Sequence, residues 1–345
     1  MIKILNIISV VSFSFILIII SSCTGNSTKE NNTTAKDTVT VTWLNPRKGK
    51  IWEKENIVKI PLTAVENGFI GSVKSVSYKE FEYPDKEGDT SKSLVDTGYN
   101  VYDKAGHLVD QNEYSDDNEP KWHCIYKYDA QNKPNEWDLN IYDDEMVSQT
   151  TFKYDAKGNK TEEVTTDTNK KLMGKINYKY DDRGNVIETS IFDKDGQLKQ
   201  VISYQYDKRN FQMAYFEKGP DGEVFSKLTC EYDDNGNKTG GADYSSDTDM
   251  ENKWVQKNDE MGRRIETDYF LPDGTLLEKR TIKYENNFPV EYNTYKRDGT
   301  LDELKSYSYK NEYDKTGNII KQTEIRWKGG KRVPATFAEY VITYY

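Results

Sequence analysis

The chain has 345 residues, of which 35% are hydrophobic and 31% charged, with a formal net charge of -10. A net-acidic chain with no basic run is a poor match for a phosphate backbone, which excludes nucleic acid as the expected partner. The low hydrophobicity alone would fit disorder, but 26 Tyr do not, and they predict a thin β structure with a core built from Tyr.

Residues 1–22 open with Lys3, continue through an almost wholly apolar stretch at 4–20, and end in the small pair Ser21 and Ser22 before Cys23. That order reads as a secretory signal, with an uncleaved membrane anchor as the alternative. Ile20-Ser21-Ser22-Cys23 resembles the lipobox of bacterial lipoproteins. The resemblance implies that Cys23 carries a diacylglycerol and becomes the mature N-terminus, so that the membrane is a partner through a lipid anchor. Thr24 follows, and not the Asp that marks inner-membrane retention in some bacteria, so the expected location is the outer membrane, on either face. Residues 23–37 form the lipidated Cys and a polar tether.

Residues 38–99 are expected to make an N-terminal β cap. Within it, 38–43 (TVTVTW) alternates as a strand, and 70–82 with 94–102 form a degenerate first hairpin. Residues 100–324 are a repeat array. Tyr102, Tyr128, Tyr154, Tyr180, Tyr206 and Tyr232 stand 26 residues apart; Asn258 and Tyr284 keep the step, and Tyr313 follows after 29. An acid comes next each time. Three residues further on stands Gly106, Gly158, Gly184, Gly236, Gly262 or Gly317, with Asn132, Asn210 and Phe288 in the remaining copies. Gly and Asn both tolerate positive φ, so the slot predicts a hairpin turn, not a catalytic acid beside a phosphate loop. A second turn falls at mid-repeat, at Asp195-Gly196, Asp221-Gly222, Asp273-Gly274 and Asp298-Gly299. Each repeat is then one hairpin.

Strands entering the anchor alternate. Tyr126, Phe152, Tyr178 and Tyr204 lie two residues before it, and Lys127, Lys153, Lys179 and Lys257 directly before it. Eight residues after it stand Glu136, Glu162, Glu188 and Glu266, placed to face the Lys ladder. Residues 325–345 are expected to form a capping strand.

The strings Tyr180-Asp181-Asp182-Arg183-Gly184-Asn185-Val186 and YDKTGNI from Tyr313 look like the YD repeat of Rhs-type proteins. The resemblance covers roughly residues 100–320. It implies a long spiralling β-sheet, closed in some members into a hollow shell around a toxin. No toxin segment follows the array here, so a small YD-repeat lipoprotein is the expectation.

Chemistry is sparse. His107 fills a turn slot. His123 and Cys124 are strand neighbours that point to opposite faces. Cys124 and Cys230 share the aromatic face and, in an open meander, lie too far apart for a disulfide. No nucleophile, phosphate-loop or metal motif appears, so neither enzyme activity nor a cofactor is expected. Trp122, Trp137, Trp254 and Trp327 fall out of phase with the repeat; the first three are candidate contacts to a glycan or protein in the envelope. The expected fold is all-β, an antiparallel meander of about 18–20 strands forming a curved or superhelical sheet, since open sheets beyond about ten strands curl. A transmembrane barrel is disfavoured because one face of each strand is Lys and Glu. The expected function is a non-enzymatic envelope lipoprotein that presents a β scaffold for binding or structure, or alternatively binds carbohydrate through its Trp residues.

Overall fold

The computed structural model of the chain describes residues 62–84, 91–142 and 146–345. The expected signal segment, Cys23, the tether and the strand at 38–43 lie outside the described residues.

Strands follow one another along the whole described chain. The first five are β1 (Val73–Glu82), β2 (Ser93–Tyr102), β3 (Leu108–Ser115), β4 (Pro120–Tyr128) and β5 (Pro134–Ile141). Next come β6 (Met146–Tyr154), β7 (Lys160–Asp167), β8 (Leu172–Tyr180), β9 (Val186–Phe192) and β10 (Leu198–Tyr206). The second half holds β11 (Gln212–Lys218), β12 (Val224–Tyr232), β13 (Lys238–Tyr244), β14 (Met250–Asn258) and β15 (Arg264–Phe270). Last are β16 (Leu276–Glu285), β17 (Phe288–Lys296), β18 (Tyr307–Tyr313), β19 (Ile319–Lys328) and β20 (Lys331–Tyr344).

Each strand pairs antiparallel with the next. β20 then pairs with β1, from Val73↔Tyr344 to Glu82↔Thr336. The 20-stranded sheet is therefore a closed β-barrel, not the open curved or superhelical sheet expected from the repeat. The physical reason lies at the ends. Both terminal segments read as covers for an exposed edge, but each carries an unpaired ladder of its own, and pairing them removes both edges at once. Residues 325–345 supply the end of β19 and the closing strand β20.

The Tyr-Asp turns all lie at one rim. In the Tyr154 copy, Gly158 N–H donates to Asp155 O and Asp155 N–H to Asn159 O, each at 2.9 Å. This is a type I turn followed by a left-handed residue. Gly158 has φ 85°, and Asn132 and Asn210, in the same slot, have 62° and 69°. Asp155 Oδ1 also accepts the N–H groups of Lys157 and Asn159 at 2.9 and 2.8 Å. Phe288 departs from the slot because Asn286 and Asn287, at φ 49° and 68°, make a two-residue turn one position earlier. The mid-repeat turns form the opposite rim, with Gly196, Gly222, Gly274 and Gly299 at φ 73–85°.

The closed sheet has two unlike faces. Side chains crowd together on the concave face and shield one another, and this face carries the buried set: Tyr102, Trp122, Cys124, Tyr126, Ile176, Tyr178 and Tyr204. The outer face carries charge. Lys153–Glu162 and Lys257–Glu266 lie at 2.5 Å, Lys179–Glu188 at 2.7 Å, and Lys127 pairs with Glu136. Such exposed pairs are screened by solvent and mainly fix register.

Candidate functional site: the inner wall of the barrel

The anchor Tyr performs a repeated task that its spacing alone does not reveal. Its phenol donates to the backbone carbonyl twenty residues earlier, on the preceding hairpin. Tyr128 reaches Leu108 O at 2.7 Å, Tyr154 reaches Pro134 O at 2.6 Å, and Tyr180 reaches Lys160 O at 2.7 Å. Tyr206, Tyr232 and Tyr284 reach Val186 O, Gln212 O and Arg264 O at 2.8, 3.0 and 3.0 Å. Asn258 replaces Tyr and keeps the bond, its Nδ2 donating to Lys238 O at 2.7 Å. Each is worth about 1 kcal/mol and ties one hairpin to the next.

In four copies the residue five after an anchor covers the next anchor ring. His107 stacks on Tyr128 at 4.8 Å and Phe211 on Tyr232 at 5.0 Å. Lys133 and Arg263 place cations over Tyr154 and Tyr284 at 5.2 and 4.5 Å. The slot holds His, Lys, Asn, Phe or Arg, so no single residue type exposes it in the sequence; only the 26-residue phase does.

Two arcs of the wall differ. Across β1 to β4, residues 62–72 lie along the rim. Ala64 N–H donates to Gly106 O at 2.9 Å, and Ile70 N–H donates to Asn318 Oδ1 at 2.6 Å, on the β18–β19 turn. Leu62, Ala64 and Phe69 pack there against Tyr102, Leu108 and Tyr128. Deeper in this arc, Glu80 stands directly opposite Asp96 on β2. Glu113 accepts from Tyr78 Oη at 3.3 Å, and Lys121 Nζ lies 3.5 Å from Glu113 while also pairing with Asp96. Burial, and then the charges of Asp96, Glu113, Glu324 and Glu82, push the Glu80 carboxyl up to about 7. Burial and Asp96 also raise Glu113, opposed by Lys121 and Tyr78.

The arc from β14 to β19 is richer in rings and guanidinium groups. Tyr292 and Tyr307 stack at 4.7 Å, and Tyr309 meets both edge-on at 6.4 and 5.6 Å. Arg280 lies over Tyr269 at 4.7 Å and pairs with Glu278; Arg326 pairs with Glu324, which is 2% exposed.

Of the residues singled out as possible ligand contacts, Trp122 and Trp254 are 4% and 8% exposed, in the wall itself. The Trp254 ring lies against Gly241, where a Cβ would come within 2.5 Å of the indole. The Gly240-Gly241 pair in mid-strand was the sequence signal for that close approach. Trp137 is half-buried, edge-on to Tyr126 at 6.0 Å and to Phe152 at 4.7 Å. His123 Nε2 donates to Asp110 Oδ1 at 2.9 Å on the outer face, away from Cys124. Cys124 and Cys230 are buried, and burial pushes the Cys124 thiol up to about 12. Among the described residues no group of His, Cys, Asp or Glu is arranged to hold a metal ion.

The architecture is thus that of a closed barrel of stapled hairpins. The chain matches no family model and no curated protein. Among solved structures, it is similar to a porin-like protein from Bacteroides uniformis at 14% identity and TM-score 0.35, over 82% of this chain and 98% of that one. It is also similar to TcdB2-TccC3 without its hypervariable C-terminal region, at 12% identity and TM-score 0.29, over 70% of this chain and 15% of that one. The Photorhabdus luminescens Tc holotoxin pore gives 12% identity and TM-score 0.28, over 75% of this chain and 17% of that one.

Proposed function

We propose that this chain is a non-enzymatic envelope lipoprotein of YD-repeat type, anchored to the outer membrane through Cys23, whose barrel is a scaffold for binding. The staple that six anchor Tyr residues make to the preceding hairpin carries the reading. It assigns the recurrent Tyr, Asp and Gly to architecture, which leaves the non-repeated inner side chains as the variable part of the molecule. The raised Cys124 thiol is a poor nucleophile, in keeping with a role without turnover. A ring of twenty strands is too wide for its own wall side chains to fill, so an inner face is available to a ligand that enters by a rim.

The test is incorporation of a clickable palmitate analogue together with membrane fractionation. Wild type is expected to label and to sediment with outer membranes. Cys23→Ala is expected to do neither. A labelled Cys23→Ala chain, or an unlabelled wild type, would refute the anchor. Reproducible turnover of a substrate by the purified chain would refute the non-enzymatic role.

A further inference from the structure

The inner wall of β15 to β19 holds polar groups that have no hydrogen-bond partner among the described residues. Arg264 opens β15 in the slot six residues after an anchor, which elsewhere holds the buried Leu108 and Val186 and the basic Lys160 and Lys238. Its guanidinium makes no hydrogen bond or ion pair among the described residues, although it acts electrostatically on both Tyr292 and Tyr307. Arg326 stands directly opposite Tyr307 on β19, and Arg280 acts on that phenol as well, with Glu324 as the opposing charge. The Tyr292 and Tyr307 hydroxyls donate to no other described residue, whereas Tyr309 Oη donates to Glu324 Oε2 at 3.3 Å. Lys305 Nζ adds a fourth cation, 3.0 Å from Glu278. Against these four stand two carboxylates, Glu278 and Glu324, so the patch is a positive island in a chain of net charge -10.

We propose that this patch binds a carboxylate-bearing sugar. The planar fork of Arg264 takes the carboxylate in a bidentate pair. The half-exposed Tyr292–Tyr307 stack receives the apolar face of a pyranose, and the two free phenols exchange hydrogen bonds with its hydroxyls. The proposal rests on the reading of the barrel as a binding scaffold and names its ligand class. It also explains why the rings cluster here. β17 and β18 pair at only two positions, Glu291↔Ser308 and Tyr292↔Tyr307. Pro289 lacks the N–H that would extend that ladder. A ligand laid across the stack would therefore bridge the thinnest junction of the ring.

The test is calorimetric titration of the full mature chain in detergent with tri-galacturonate, with neutral galactotriose and with inorganic phosphate. Tri-galacturonate is expected to bind at least tenfold tighter than galactotriose, weaken as salt rises, and raise the melting temperature. Arg264→Gln and Tyr307→Ala should each weaken it at least tenfold, while Arg183→Gln, on an outer turn, should leave it unchanged. Circular dichroism checks that each variant keeps the wild-type β signature. Should Tyr307→Ala fail that check, Tyr307→Phe, which keeps the ring and removes the hydroxyl, is expected to weaken binding at least threefold. Absence of tri-galacturonate binding, equal binding of the neutral sugar, displacement by phosphate at equal concentration, or undiminished binding by folded Arg264→Gln would each overturn the assignment. Palmitate labelling of the same preparation reports on the envelope reading separately, so the two fail independently.

Discussion

Replacing Glu80 by Gln should stabilise the barrel, although it removes a charge from a water-soluble side chain. In the fold Glu80 faces Asp96 across the β1–β2 ladder, with Glu113 and Glu324 near, and its carboxyl is raised from 4.5 to about 7. The folded chain therefore holds that proton more tightly than the unfolded chain does. Below about pH 4.5 both forms are protonated and the site carries no penalty. As pH rises from about 4.5 to about 7, the unfolded chain ionises freely and the folded one does so at a cost, so stability falls; above about 7 the loss is complete. The full interval corresponds to about 3 kcal/mol, and solvent reaching the half-buried side chain reduces this to about 1–3 kcal/mol. Urea denaturation from pH 4 to pH 9, followed by tryptophan fluorescence, measures it. Wild type should lose stability between pH 5 and 7.5, and Glu80→Gln should flatten that limb and exceed wild type at pH 8. The turn carboxylates are lowered, not raised, and titrate below this window. A variant no more stable than wild type at pH 8, or a wild-type curve that climbs through the window, refutes the reasoning.

Tyr180→Phe should cost about 1 kcal/mol by leaving Lys160 O without its donor, and Tyr180→Ala about 3–5 kcal/mol by removing the ring as well, both read from denaturation midpoints; equal midpoints for wild type and Phe would sink the staple. Gly184 has φ 81°, and an added Cβ meets nothing nearer than Asn159 Oδ1 at 4.0 Å, so Gly184→Val should cost about 1–3 kcal/mol through backbone strain alone. Gly184→Asn, the residue type that Asn210 places in the same slot, should cost well under that, and a reversed order would show that space, not φ, decides the slot.

Much of this architecture was legible. The 26-residue phase, the Asn-for-Gly exchange and the Lys–Glu offset place turns, strands and an outer ladder because each reflects a local rule: a positive φ, a period of two, a cross-strand neighbour. Closure was not legible. It depends on the sheet's accumulated curvature bringing Val73 beside Tyr344, and no residue encodes a sum over twenty strands. The staple was half visible, since Tyr recurred, but its acceptor is a backbone carbonyl and carbonyls leave no trace in sequence. The three-residue lengthening before Tyr313 did carry information: it marks the connection 297–306 and the thin β17–β18 junction. The inner carboxylates and guanidinium groups were hidden for the opposite reason, because they break the phase and so resemble surface variation.

The strand that closes the ring, β20, is the one that the first strand needs. β1 emerges early with a bare edge and stays so until residues 336–344 arrive. A chain truncated by even a dozen residues would keep two long unpaired borders, each able to recruit another copy. Loss of residues 336–344 by frameshift or proteolysis should thus yield aggregates rather than a slightly smaller barrel.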